Sequence, residues 1–299
     1  NFNYIQARFG RRLWKEQSYS ELFPSMQARF SYNQNLIFRG AYYRSILRPD
    51  AQNIARSLVI NDTQTNFTTA NPDLKPEFAD NFEVRAEYYF EPVGLISAGV
   101  FYKKLKDVQV TTTQDFTRGN IPQDILDLGF TEDTLLTNSA QYSTTVNGPE
   151  TAVKGFEVDY SQQLSFLPGL LRGLGVFANY TRTTPDNEAL FVGGSGAPKQ
   201  SGNVGLSYRA NRISGQVKLN WVDRRLLTAA GANGVAQYEK DRTQIDVNVD
   251  YQLRRYATVF MNIANLTGEP SVRYSVHEAN LIRHGAFGAK YTIGVKGSF

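Results

Sequence analysis

Phe287-Gly288-Ala289-Lys290-Tyr291-Thr292-Ile293-Gly294-Val295-Lys296-Gly297-Ser298-Phe299 closes the chain. Read back by twos, one parity is Phe299, Gly297, Val295, Ile293, Tyr291, Ala289 and Phe287, and the other is Ser298, Lys296, Gly294, Thr292, Lys290 and Gly288. Side chains alternate across a β-strand, so one face of this segment is apolar and aromatic and the other polar and cationic. A strand between two such unlike environments lies either in a soluble sandwich or in a membrane barrel, and the alternation by itself does not separate them.

The same period of two recurs upstream. Met26, Ala28, Phe30 and Tyr32 alternate with Gln27, Arg29 and Ser31, and Phe82, Val84, Ala86, Tyr88 and Phe90 alternate with Glu83, Arg85 and Glu87. Phe156, Val158 and Tyr160 oppose Glu157 and Asp159; Val204, Leu206 and Tyr208 oppose Asn203 and Ser207. Val217, Leu219 and Trp221 oppose Gln216, Lys218 and Asn220; Ile245, Val247, Val249 and Tyr251 oppose Asp246, Asn248 and Asp250. With the less regular segments 36–47, 95–109, 174–184 and 256–266, eleven strands are predicted. Their connections alternate in length. Asn33–Asn35, Glu91–Gly94, Leu167–Gly173, Ala210–Arg212 and Arg254–Arg255 are short, whereas 50–78, 110–150, 185–199, 227–240 and 267–285 are long. A transmembrane barrel has tight turns at one end and long loops at the other, a rhythm a sandwich has no reason to keep.

Composition agrees with a barrel. The 299 residues include no cysteine, which excludes disulfides, thiolate metal sites and thiol catalysis. A net charge of +4 from 32 basic and 28 acidic residues is too small and dispersed to predict a nucleic-acid partner. Mean hydropathy is −0.39, and no run approaches the roughly 18 apolar residues of a spanning helix. Yet aromatics reach 13%, placed near strand ends, as in a girdle at the headgroup level. Asp246, Asn248, Asp250, Lys218 and Glu157 on the polar parity suit a wet lumen better than a dry core.

Strand parity bears on organisation. Eleven antiparallel strands cannot close a barrel with both ends on one side, and residues 1–20 contain no apolar leader segment. The expectation is an all-β protein, the C-terminal half of a transmembrane antiparallel β-barrel. Residues 1–21 would be an outer loop or partial hairpin, and residues 22–299 the C-terminal barrel strands.

Several segments then carry a resemblance. Asn71-Pro72-Asp73-Leu74-Lys75-Pro76-Glu77 followed by Asn81-Phe82-Glu83, Ala41-Tyr42-Tyr43-Arg44-Ser45-Ile46-Leu47-Arg48-Pro49, Val153-Lys154-Gly155-Phe156-Glu157, Asn262-Ile263-Ala264-Asn265-Leu266-Thr267 and the terminal strand resemble TonB-dependent outer-membrane receptors, in the family's order. Arg85 stands where the family often has glycine. The resemblance implies a barrel of about 22 strands filled by an N-terminal plug, and import of a scarce nutrient driven by the TonB complex. It also implies that Phe299, with Tyr291, is read by the barrel-assembly machinery; plain lipid contact is the alternative.

Chemistry beyond binding is not predicted. His277 and His284 lack the cysteines or paired carboxylates of a metal site. Asp246-x-Asn248-x-Asp250 begins like a calcium loop, but Tyr251 stands where the turn needs glycine. Gly173-x-Gly175-x-x-Ala178 opens a strand rather than a helix, which removes the dinucleotide reading. No catalytic residue, metal or cofactor is expected. Candidate ligand contacts are the aromatic and cationic residues at the loop mouths: Tyr142, Phe191, Arg224, Arg225, Tyr238, His277 and Arg283. Arginine suits carboxylate or phosphate, and aromatic rings suit sugars or planar chelators. Contact of Arg224 and Arg225 with lipid headgroups is the plainer alternative. By resemblance the ligand is a siderophore, cobalamin, oligosaccharide or similar nutrient; a passive porin or adhesin barrel, or a soluble sandwich, are the competing readings.

Overall fold

The computed structural model describes residues 18–55, 58–61, 63, 65–191, 198–228 and 235–297. Its strands are β1 (Ser25–Ser31), β2 (Leu36–Leu47), β3 (Leu58–Ile60), β4 (Asn66–Thr69), β5 (Glu77–Phe90), β6 (Gly94–Lys106), β7 (Gln109–Asp115), β8 (Gln141–Asn147), β9 (Thr151–Gln163) and β10 (Leu174–Pro185). They continue as β11 (Gln200–Ala210), β12 (Ile213–Val222), β13 (Arg225–Thr228), β14 (Gln237–Glu239), β15 (Arg242–Arg254), β16 (Ala257–Ala264), β17 (Ser271–Ser275), β18 (His277–Gly285) and β19 (Lys290–Gly297). Three helices of one or two turns, α1 (Ala51–Ile54), α2 (Gln123–Leu126) and α3 (Glu132–Thr137), lie in the long connections.

Eleven strands form one sheet, ordered β1-β2-β5-β6-β9-β10-β11-β12-β15-β16-β19. Every neighbouring pair is antiparallel. The sequence predicts this number of strands, and the reason is visible in the register. Directly opposed residues share a face, so one strand's apolar parity lines up with the next. One such row is Tyr88, Ile96, Tyr160, Ala178, Val204, Leu219 and Ile245. This face is not packed on anything: Ile293 is 71%, Val295 69% and Tyr291 63% exposed. A one-residue slip of any strand would turn its charges onto the apolar face, so the register is strongly specified.

The opposite face is a mesh of hydrogen bonds. Arg85 of β5 donates to Glu157 and Asp159 of β9 at 2.8 and 3.0 Å, and Ser97 of β6 donates to the same Asp159 at 3.1 Å. Arg39 pairs with Glu87 at 2.8 Å. Farther along the sheet Asn203 donates to Asn179, Asn220 to Asp246, and Lys296 to Asp250. Asp246, Asn248 and Asp250 thus share one strand face, each with its own cross-strand partner. Aromatic rings enter this face only opposite glycine. A Cβ at Gly155 would collide with the ring of Phe101 and the carbonyl of Arg182, and one at Gly205 with the ring of Phe177.

Short connections are built from local polar geometry. The Asn33 side chain accepts from the backbone of Asn35 and Leu36, both at 2.8 Å, and Asn211 takes the left-handed φ of 50° between β11 and β12. The long connections differ from the open loops the sequence suggests, because they fold on one another. Those before β5 and β9 build a sheet of order β3-β4-β8-β7, and those before β15 and β19 build a sheet of order β13-β14-β17-β18. No helix among the described residues is long and apolar enough to cross a membrane.

Candidate functional site

The two loop sheets sit at the same end of the eleven-stranded sheet, and they are constructed differently. In the first, Phe67, Phe116, Ile121, Ile125, Leu135 and Ala140 form a buried apolar cluster under α2 and α3. Phe67 meets Phe116 and Phe130 edge to face. Thr131 caps α3 by accepting from the Thr134 amide, and Glu132 and Asp133 occupy the helix's first turn, where negative charge is favoured. Tyr142 lies here. Its ring packs on Phe116 and its hydroxyl is 3.4 Å from Thr69, so it serves the packing of this sheet.

The second sheet is charged. The register aligns Arg225, Glu239, Arg273 and Arg283 as direct cross-strand partners, one from each of four consecutive strands, so all four share a face. Arg225 Nε donates to Glu239 at 2.6 Å, and Ser271 Oγ donates to the other carboxylate oxygen at 3.0 Å. Burial pushes the Glu239 carboxyl up, but donation by Arg225 and Ser271 and the charges of Arg225 and Arg273 outweigh this and hold it below the usual carboxylate range. The row therefore carries three guanidinium groups against one ionised carboxylate.

The neighbouring row, on the opposite face, holds Leu226, Tyr238, Tyr274 and Leu281. Tyr238 and Tyr274 stack with centroids 5.6 Å apart, and Arg224 lies over the Tyr238 ring at 5.4 Å. Tyr274 is also a hydrogen-bond partner of Arg224, which raises the guanidinium pKa further. The buried Nε atoms of Arg273 and of Arg242, the first residue of β15, have no hydrogen-bond partner. A buried guanidinium N–H without an acceptor is costly, and an anionic oxygen would relieve it.

Four of the sequence candidates, Arg224, Arg225, Tyr238 and Arg283, thus come together on one small sheet. His277 begins β18, exposed and opposite Ser275 at the far end from Arg283. The side chain of Phe191 and the whole of Phe299 lie outside the described residues. Tyr291 stands on the exposed apolar face of the large sheet. Among the described residues no three or more His, Cys, Asp or Glu gather as metal ligands. Glu239, Arg273, Tyr274 and Arg242 escaped the sequence reading. The signal was present in Val272-Arg273-Tyr274-Ser275, whose period of two marks a strand inside a segment read as a loop.

Comparison with solved structures finds the same architecture. The ferric enterobactin receptor of Pseudomonas aeruginosa superposes with a TM-score of 0.64 at 15% identity, over 93% of this chain and 40% of that one. The siderophore receptor PirA of Acinetobacter baumannii gives 0.61 at 16% identity over 93% and 41%, and the copper transporter OprC gives 0.62 at 13% over 92% and 39%. The chain therefore spans about two fifths of the length of these receptors. Comparison with curated proteins gives no match. The family model for the TonB dependent receptor-like β-barrel matches residues 6–266, and the chain belongs to that family of Gram-negative outer-membrane receptors.

Proposed function

We propose that this chain forms the C-terminal wall of an outer-membrane receptor that captures an anionic metal chelate at the β13-β14-β17-β18 sheet and imports it with TonB-coupled energy. The observation that carries the ligand class is the row of Arg225, Arg273 and Arg283 around a single carboxylate, with two tyrosine rings one row away. Guanidinium forks match carboxylate and catecholate oxygens, and stacked rings suit planar chelators. The names of the structural neighbours, receptors for ferric enterobactin and siderophores and a copper transporter, support a metal or metal-chelate cargo. Nothing in this reading requires bond chemistry: the protein binds, and the energised complex opens the path. The plug, the TonB contact and the assembly role of Phe299 belong to the same proposal by family likeness.

The test is binding of a ferric tris-catecholate, neutral cobalamin and a neutral oligosaccharide to the receptor in detergent, measured by fluorescence quenching. The expected result is selective binding of the anionic chelate, weakened about tenfold to a hundredfold in Arg273→Ala/Arg283→Ala. Equal affinity for a neutral ligand, or no loss in the double variant, would sink the assignment. Uptake that persists after the inner-membrane proton gradient is collapsed would sink the energised part.

A further inference from the structure

The apolar face of the large sheet is uniform except at one place. Across β5, β6, β9 and β10 it dips into a hollow of about 630 Å³, open to the outside of the wall. Val84 and Val100 form its floor, 57% and 60% exposed, with Phe156 beside them. Tyr102, Lys154 and Arg182 stand along one rim. All six lie on the apolar parity, because Val84, Val100, Phe156 and Arg182 form one cross-strand row, and Tyr102 and Lys154 are partners in the next. The hollow exists because two valines sit between Phe82, Tyr102 and Phe156, whose larger rings wall it in.

Its position along the strands identifies the occupant. On β10, this parity runs from Arg182 to Leu174 with Tyr180, Ala178 and Val176 between them. Those eight residues cover about 26 Å at roughly 3.3 Å per residue, comparable, once strands tilt, to the apolar band of about 25 Å of a membrane barrel. Arg182 and Lys154 therefore mark one edge of that band, the edge bearing the long connections. The row beyond continues with Arg44, Asp80 and Lys104. Lys154 reaches Asp186 at 3.6 Å, an exposed and weak pair, and Arg182 has no ion pair among the described residues. A cationic rim over an apolar trough at a membrane edge complements a lipid whose headgroup is phosphorylated and whose chains are saturated hydrocarbon.

We propose that this hollow is a binding site for a phosphorylated acyl glycolipid of the outer leaflet, its phosphate held by Lys154 and Arg182 and an acyl chain laid on Val84, Val100 and Phe156. The site rests on the membrane placement of this wall and is independent of the ligand assigned to the outer sheet. It places a lipid anchor directly beneath the loop sheet that β5, β6 and β9 support.

Native mass spectrometry of the detergent-purified receptor tests it with three probes: diphosphoryl lipid A, the same lipid stripped of phosphate, and inorganic phosphate. The wild type is expected to bind the diphosphoryl lipid about tenfold more tightly than the stripped one. Lys154→Gln/Arg182→Gln should abolish that preference, while Val100→Trp should weaken both lipids by filling the trough; heat-modifiable gel mobility confirms that each variant is folded. Undiminished preference in the folded double variant overturns the proposal. So does displacement of the lipid by inorganic phosphate alone, which would make this a free-anion site. Retained chelate binding in these variants separates the result from the outer-sheet reading.

Discussion

The two loop sheets stand side by side on one scaffold and reach order by opposite means. The β3-β4-β8-β7 sheet is closed by an apolar cluster in which Phe67 and Ile125 are fully buried and Leu135 is 1% exposed. It is in effect a small domain inserted into two hairpin connections. The β13-β14-β17-β18 sheet has no such cluster and is tied by Arg225 to Glu239, Glu239 to Ser271, and Arg224 to the tyrosine pair. A surface held by charge keeps donors facing outward, whereas a surface held by apolar contacts has used its chemistry inward. The first is suited to act as a rigid cover, the second to meet a ligand.

The comparison breaks most readily at Leu135. Leu135→Ala removes a fully buried side chain from the cluster and is expected to cost about 2–5 kcal/mol locally. Hydrogen exchange should accelerate in β3, β4, β7 and β8 and stay unchanged in β13, β14, β17 and β18. Loss of protection in both sheets would show that they are a single unit.

Arg225→Ala attacks the other sheet. It leaves the Glu239 carboxylate partly buried with Ser271 and the charge of Arg273 as its remaining support, at an expected cost of about 1–3 kcal/mol. Exchange should now rise in β13 and β14 with the Phe67 cluster unaffected. An unaltered exchange pattern would remove the ion pair from the account of how this sheet holds together.

A smaller difference should appear on acidification. The Glu239 carboxyl is held below its ordinary value, so its stabilisation is complete at pH values above the ordinary carboxylate range. It fades only as pH falls through the lowered value of the folded state. Protection of β14 and β17 should therefore hold through mildly acidic pH and decline below it, while the amides over the Phe67 cluster remain protected. A decline beginning near neutrality would contradict the depressed carboxyl.

Much of the large sheet was legible because its two faces meet different media over the whole width. Tyr291, Ile293 and Val295 against Lys290, Thr292 and Lys296 read as a strand without reference to any other part of the chain. The turn at Asn211 and the contrast of short and long links set the hairpin order. The loop sheets were less legible. Their strands are three to nine residues long, with β13 and β14 showing no sustained alternation, and they are stabilised by segments distant in sequence. β4, for example, pairs in parallel with β8 across more than 70 residues. Tyr142 and Tyr238 looked alike as aromatic loop residues. Only their neighbours, Phe116 for one and Arg224 with Tyr274 for the other, separate a packing role from a candidate contact.

From the sequence alone follow the antiparallel meander, its eleven strands, the apolar and polar faces, and the absence of thiol chemistry, since each depends on local periodicity or composition. Tertiary structure decided which arginines face one another, where Glu239 is held ionised, and that a hollow opens beneath Lys154 and Arg182. Those features depend on register between strands and on the space left by side chains from different strands, and neither is encoded in any one segment.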